Sequence, residues 1–247
     1  MIYPIAETFN SLQGEGVFTG TPMLFVRLAG CNVGEFGATA PGDVTPGDFP
    51  LYEKHEHSIC TSVSGAKFLC DTDYRVHERK SEADLVNLLR GEEHVCITGG
   101  EPFLHNLTPL VRAFQVVGVV VHIETSGTLP IRFPEDPDPD FPTNGVIDHE
   151  QLWITCSPKK GLKAEELLKV QEIKFLVSPN TNTEAVQRIV DLAEEYGQPE
   201  LVTNIFLQPI NEVHLCREDS LDRCLDLLCE FPSLRLSAQL HKYLKQR

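Results

Sequence analysis

His94-Val95-Cys96-Ile97-Thr98-Gly99-Gly100-Glu101-Pro102 is the stretch on which the reading of this chain turns. Its apolar first half has the length and composition of a buried strand. Two glycines directly after a strand let backbone come close to a neighbour or ligand, because no Cβ intervenes. A glutamate and a proline suited to starting a helical turn follow. Alone, such a turn is often only a tight bend.

Working outward, short Val-, Ile-, Leu- and Phe-rich runs predict further strands near 22–29, 119–124, 152–156, 172–177, 202–208 and 234–238. They read as lacking polar alternation, which suits parallel strands covered on both faces. Ser81-Glu82-Ala83-Asp84 resembles a capping box for a helix over 82–90, ended by Gly91. Asn106 can cap 107–117, and 163–169, 183–196 and 220–230 have helical spacing of apolar residues. Strands alternating with helices predict an α/β fold with a parallel sheet. Two stretches, 34–59 and 130–148, read as surface insertions in a single domain.

The polar motifs fall just after strands: Gly30-Cys31, Thr98 to Glu101, Glu124 to Gly127, Ser157-Pro158-Lys159, Ser178-Pro179-Asn180, Gln208 to Asn211, and Gln239 with His241. In a parallel barrel these ends share one face, where ligands bind.

Composition limits the function. The chain has 247 residues, 41% of them hydrophobic, and a net charge of −15. That balance argues against a nucleic-acid or anionic-membrane surface. The N-terminus shows no signal-peptide pattern, and no apolar run is long enough to span a bilayer, so a cytoplasmic location is expected. There the eight cysteines stay reduced. Cys96 and Cys156 sit in apolar strands, and Cys216, Cys224 and Cys229 also fit ordinary packing. Cys31, Cys60 and Cys70 do not, since they lie in or beside polar, Gly-rich loops. Thiolates suit iron–sulfur clusters. A four-iron cluster on three cysteines leaves one iron open for S-adenosylmethionine, with Gly99 and Gly100 beside its methionine end and Glu124 and Ser126 able to hold its hydroxyl or amino groups. Plainer readings exist: Glu124 as a solvent-facing strand end, Ser126 as a turn cap.

At these residues the chain resembles the 7-carboxy-7-deazaguanine synthases of the radical S-adenosylmethionine superfamily. Glu7 to Gly16, Phe25 to Asn32, Cys70 to Tyr74, Ile97 to Pro102, Glu124 to Thr128, Ser157-Pro158-Lys159, Gln208-Pro209 and Arg235 to Lys242 carry the likeness in order along nearly the whole chain. The resemblance implies a partial (β/α) barrel and conversion of 6-carboxy-5,6,7,8-tetrahydropterin to 7-carboxy-7-deazaguanine with loss of ammonia, on the route to queuosine. It implies a [4Fe-4S] cluster, S-adenosylmethionine, Mg2+, an electron donor such as flavodoxin or ferredoxin, and a homodimer. Carried over, Leu12, Gln13, Gly14, Glu15, Arg27, Thr98, Gln239, His241 and the terminus at Arg247 would meet substrate. Arg27 would take its carboxylate, as a planar fork does. Phe68, Leu69, Asp71, Gly99, Gly100, Glu101, Glu124, Ser126, Ser157, Pro158, Lys159, Gln208, Pro209, Ile210 and Asn211 would surround S-adenosylmethionine. Cys31, Cys60 and Cys70 would hold the cluster and Thr72 the magnesium.

One departure stands out. The family places its last two cluster cysteines as Cys-x-x-Cys, but Lys67 occupies the position three before Cys70. Cys60 then becomes the second ligand, if Thr61 to Leu69 forms a hairpin that returns the chain. Cys96, His55 and His57 are the competitors. Two other functions remain open from sequence: an activating enzyme acting on a partner protein, and a zinc protein using Cys31, Cys60, Cys70 and His57.

Overall fold

The structure, a computed structural model, describes residues 1–36, 58–70, 72–133, 147–211 and 217–244. Most of both expected insertions, and His55, His57 and Cys216, lie outside these residues.

Seven parallel strands stand where the sequence predicts them, although 202–204 form a 3-10 turn before the sixth and the seventh has only two residues. They are β2 (Pro22–Leu28), β7 (His94–Gly99), β8 (Val120–Thr125), β9 (Leu152–Cys156), β10 (Glu172–Val177), β11 (Ile205–Pro209) and β12 (Arg235–Leu236). Two more strands extend the β2 edge: β1 (Ile2–Leu12), antiparallel to β2, and β6 (Glu78–Ser81), antiparallel to β1. The sheet order is β12-β11-β10-β9-β8-β7-β2-β1-β6, so β12 and β6 are open edges among the described residues. Three short strands, β3 (Glu35–Phe36), β4 (Ser58–Thr61) and β5 (Lys67–Leu69), form a separate antiparallel sheet. The described ends of segment 34–59 are therefore paired strands, since Glu35 faces Ile59 and Phe36 faces Ser58.

The helices are α1 (Glu82–Val86), α2 (Thr108–Val116), α3 (Thr183–Tyr196), α4 (Glu218–Glu230) and α5 (Leu240–Tyr243). Ser81 caps α1 in a full capping box with Asp84. The helix is shorter than the expected 82–90, and turns continue the chain to Gly91. Asn106 Oδ1 accepts the amide of Thr108 at the start of α2. Segment 164–169 forms 3-10 turns instead of the expected α-helix.

Side chains alternate across each strand, and the two faces of the large sheet differ in character. One carries Leu24, Val26, Val95, Ile97, Val121, Ile123, Ile154, Ile173, Phe175, Ile205 and Leu207, all nearly fully buried in one core. Helix α2 packs against β8, and α4 against β10 and β11. The other face carries Arg27, Thr98, His122, Glu124, Thr155, Glu172, Lys174 and Gln208, most of them buried. The sequence expectation of strands without polar alternation is thus corrected: toward the strand ends, the residues that turn away from the helices are polar. Strands lie about 4.8 Å apart, yet Arg27 on β2 and Gln208 on β11, five strands along, line one cavity. The sheet must curl around that polar face, as a partial barrel does.

The foot of the inner face is filled by aromatic packing. Phe18, from the β1–β2 connection, packs edge-on against His122 and Trp153, with ring centroids 4.5 and 5.0 Å away. Met23, Phe25, Cys96 and Phe9 surround it in a second apolar cluster. Cys96 is therefore a packing residue, as its strand position suggested.

Candidate active site

The inner face and the loops beyond the strand ends enclose a cavity of about 300 Å³, the lower end of the range for small-molecule sites. The cavity has a thiol wall and a carboxylate floor.

The thiol wall comes from Cys31, after β2, and Cys60 and Cys70, at the β4–β5 hairpin. The hairpin expected over 61–69 is present: Cys60 faces Phe68 and Thr61 faces Lys67. Residue 70 is anchored back to β4 by its amide, which donates to the Ser58 carbonyl at 3.0 Å. The long Cys60–Cys70 spacing thus closes in space, and both residues line the same cavity. The neighbouring Cys70 thiol, followed by burial, pushes the Cys60 thiol far up. Cys31 is raised chiefly by burial, with Cys70 adding to it. Burial and mutual proximity hold Cys31 and Cys60 as neutral thiols, and a cationic group bound where Cys31, Cys60 and Cys70 converge would favour their thiolate forms instead. Among the described residues no group of three or more His, Cys, Asp or Glu side chains is arranged for a single metal ion. A cluster, which spreads its ligands over several irons, makes no such demand. The donor set therefore fits an iron–sulfur cluster.

The Gly99-Gly100 pair is explained by packing. A Cβ on Gly100 would overlap the Cys31 side chain and the Gly30 carbonyl, and one on Gly99 would overlap the Leu28 carbonyl. The pair lets the end of β7 lie directly against the Cys31 turn, and both glycines still line the cavity. Glu101 departs from expectation. It is 1% exposed and does not line the cavity. Its carboxylate accepts the Ser126 amide at 2.9 Å, the Thr125 hydroxyl at 2.9 and 3.0 Å, the Phe103 amide at 3.1 Å and the Ser126 hydroxyl. Glu101 is thus a clamp between the ends of β7 and β8, which need such a buried acceptor to hold their turns. Pro158 also lies outside the lining.

The other expected cofactor positions within the described residues do line the cavity: Phe68 and Leu69 on the hairpin, Glu124 and Ser126 at the end of β8, Ser157 and Lys159 after β9, and Gln208 to Asn211 at the end of β11. Lys159 Nζ donates to the Ser157 carbonyl at 3.0 Å and hydroxyl at 2.7 Å, 5.8 Å from the Phe68 ring centre. Burial pulls its ammonium down. Thr72 lies beside Cys70, whose thiol points to its carbonyl at 3.7 Å. Asp71, the His241 side chain and Arg247 fall outside the described residues.

The floor brings the expected substrate residues together. Leu12, Gln13, Gly14, Glu15, Arg27, Thr98 and Gln239 all line the cavity. Glu15 Oε1 accepts the amide groups of Gln208 at 3.1 Å and Gln239 at 2.8 Å. Because a carboxylate only accepts, these bonds fix the orientation of both amides. Gln13 and Thr98 donate to Glu124, each at 3.3 Å. Arg27 Nε donates to Glu7 at 2.8 Å, and among the described residues its terminal amino groups have no hydrogen-bond partner.

The sequence reading missed the residue that joins these groups. Lys174, on β10, is 4% exposed, and its ammonium reaches Glu15 at 2.5 Å and Glu124 at 2.9 Å. Burial alone would favour the neutral amine, but Glu124 and Glu15 outweigh it and hold Lys174 firmly protonated. Glu172 sits two residues earlier on the same face and accepts the Val17 amide at 2.9 Å. The signal was a lysine in the apolar run Glu172-Ile173-Lys174-Phe175-Leu176-Val177, two positions from a glutamate.

Comparison with known proteins agrees with the geometry. The 7-carboxy-7-deazaguanine synthase of Escherichia coli K12 is 32% identical over 254 residues, spanning 99% of this chain and 99% of that protein. The 7-carboxy-7-deazaguanine synthase of Buchnera aphidicola is 32% identical over 254 residues and spans both chains fully, at 100% each. The crystal structure of QueE from Escherichia coli aligns with a TM-score of 0.65 at 29% identity, covering 98% of this chain and 95% of that one. No family model matches the chain. Full-length similarity at this level makes the chain a member of the 7-carboxy-7-deazaguanine synthase family.

Proposed function

We propose that this protein converts 6-carboxy-5,6,7,8-tetrahydropterin to 7-carboxy-7-deazaguanine, releasing ammonia. It acts as a radical S-adenosylmethionine carbon–nitrogen lyase on the route to queuosine. The observation that carries this reading is that the thiol wall and the carboxylate floor line the same cavity.

Cys31, Cys60 and Cys70 would hold the cluster, and Thr72 would offer its hydroxyl to magnesium, which takes few protein ligands. When bound, the cluster and S-adenosylmethionine supply one-electron chemistry and a carbon-centred acceptor for a substrate hydrogen atom. The residues of the chain do the rest. The hairpin and the strand-end loops from Ser157 to Lys159 and Gln208 to Asn211 border the sulfonium side. The terminal amino groups of Arg27 take the pterin carboxylate as a bidentate pair. Glu15 accepts hydrogen bonds from the guanidine-like edge of the pterin. Glu124, expected from the sequence to border S-adenosylmethionine, is tied to Glu15 through Lys174 and is assigned to the same edge, with Gln13 and Thr98 keeping it in place. The aromatic packing under the floor excludes water from the foot of the site. The same reading has a homodimer working in the cytoplasm, reduced by a flavodoxin- or ferredoxin-like donor.

The test is incubation of the anaerobically reconstituted, reduced protein with S-adenosylmethionine, magnesium and the carboxy-tetrahydropterin. Mass detection of 7-carboxy-7-deazaguanine is the expected result. Consumption of S-adenosylmethionine without any deazapurine would overturn the substrate assignment.

A further inference from the structure

The buried cation of the floor carries an inference about specificity, which rests on the substrate reading above. Lys174 is the only lysine or arginine with its side chain 5% exposed or less in an ion pair among the described residues, and it contacts two carboxylates from separate elements of the fold. Glu15 arrives on the β1–β2 connection and Glu124 at the end of β8. Neither element packs its backbone against the other in the sheet, where β8 neighbours β7 and β9. The ammonium on β10 is the charged link between their carboxylates, beside the longer Gln13–Glu124 bond at 3.3 Å. Gln208 and Gln239 grip the second oxygen of Glu15, and Gln13 and Thr98 grip Glu124. The outcome is one connected network in which every donor is turned into a carboxylate, leaving the floor acceptor-rich.

We propose that Lys174 is the positioning residue of this floor: by tying Glu15 to Glu124 it sets the spacing of the two carboxylates that recognise a ligand edge made of adjacent N–H donors, such as the 2-amino-pyrimidinone edge of a pterin. The ammonium does not touch the reacting carbon. Its effect is on which ring is held and how firmly, so loss of Lys174 acts on recognition before it acts on turnover. A buried charge network that loses its cation leaves uncompensated carboxylates behind, and a donor edge then meets two acceptors no longer fixed in register.

The experiment compares wild type with Lys174→Met, which keeps most of the side chain's length and apolar bulk and removes the charge. The measurements are KM and kcat for the carboxy-tetrahydropterin, and the preference for it over its 2-desamino analogue, with the affinity for S-adenosylmethionine as reference. The expected result for Lys174→Met is a KM raised at least tenfold, a kcat at saturation reduced less than about threefold, and most of the preference for the 2-amino compound lost. An unchanged KM and preference, or an equal loss of S-adenosylmethionine affinity, overturns the proposal. Should Lys174→Met not fold, Lys174→Met/Glu15→Gln removes a cation and an anion together. The proposal expects that pair to bind the pterin no worse than Glu15→Gln alone, and a further tenfold loss contradicts it. A wild type that makes no deazapurine overturns the functional reading itself. A wild type that makes it, beside an unaffected Lys174→Met, overturns only this inference.

Discussion

The two faces of the curled sheet share their strands and differ in everything else. Toward the helices, Ile123 and Phe175 sit in an apolar core with no polar partners to satisfy. One residue away on the same strands, Glu124 and the buried Lys174 form an ion pair at 2.9 Å. A pleated strand places successive side chains on opposite faces, so a single register supplies both a stabilising surface and a chemical one. The lesson is a division of labour. The helix face provides the burial that lets the inner face hold unfavourable groups in place: crowded thiols, a buried lysine and charged carboxylates.

That contrast can be broken at either face. Phe175→Ala removes a fully buried ring from the helix face and should cost roughly 3–5 kcal/mol of stability. Denaturant unfolding checks it, and the KM of the folded fraction should stay within about twofold of wild type. Arg27→Ala is the mirror case. It should leave the unfolding midpoint nearly unchanged but raise the pterin KM by about a hundredfold, as expected when a bidentate carboxylate contact is lost. If the stability losses of the two variants were interchanged, the division between faces would be wrong.

The smallest effect sharpens the boundary between site and support on the inner face itself. His122 is 3% exposed beneath the cavity, its Nε2 2.9 Å from His94 Nδ1. Burial pushes its pKa down from 6.5 to about 3. The unfolded chain takes up a proton near 6.5 and the folded chain does not until about 3, so stability falls as pH drops through that window. The loss from this residue should be about 2 kcal/mol between pH 7.5 and pH 5. His122→Phe should flatten that part of the stability–pH curve, measured by denaturant unfolding at both pH values. An unaltered slope would show that the ring is not held neutral by the fold.

Much of this architecture was legible in the sequence, for reasons that can be named. Strands β7 to β11 are short apolar runs bounded by polar turns, and α3 begins at Asn182 and spans Thr183–Tyr196 as its spacing predicts. Strand β1 was missed because Ile2–Leu12 carries Pro4, Glu7, Thr8, Asn10 and Ser11, and β6 because Glu-Arg-Lys-Ser has no apolar residue and pairs only at an edge. Motif reading placed the thiols, Glu15 and Arg27 in one cavity, since each stands in a turn or strand end whose chemistry is unusual there. It erred on Glu101, where a carboxylate next to the Gly-Gly turn serves the backbone. It also passed over Lys174, because a charge within an apolar strand reveals its role only when the opposite face of the sheet is seen.

The account stands on the second thiol, since Cys60 is the ligand that the family's spacing does not supply. The most direct measurement is the iron content of anaerobically reconstituted Cys60→Ala beside wild type, with reductive cleavage of S-adenosylmethionine read on the same samples. Wild type should hold about four irons per chain, as a cubane cluster requires, and Cys60→Ala should hold far fewer and show no cleavage, with unfolding unchanged. A Cys60→Ala protein that keeps a full complement of iron and cleaves S-adenosylmethionine at the wild-type rate would contradict the account.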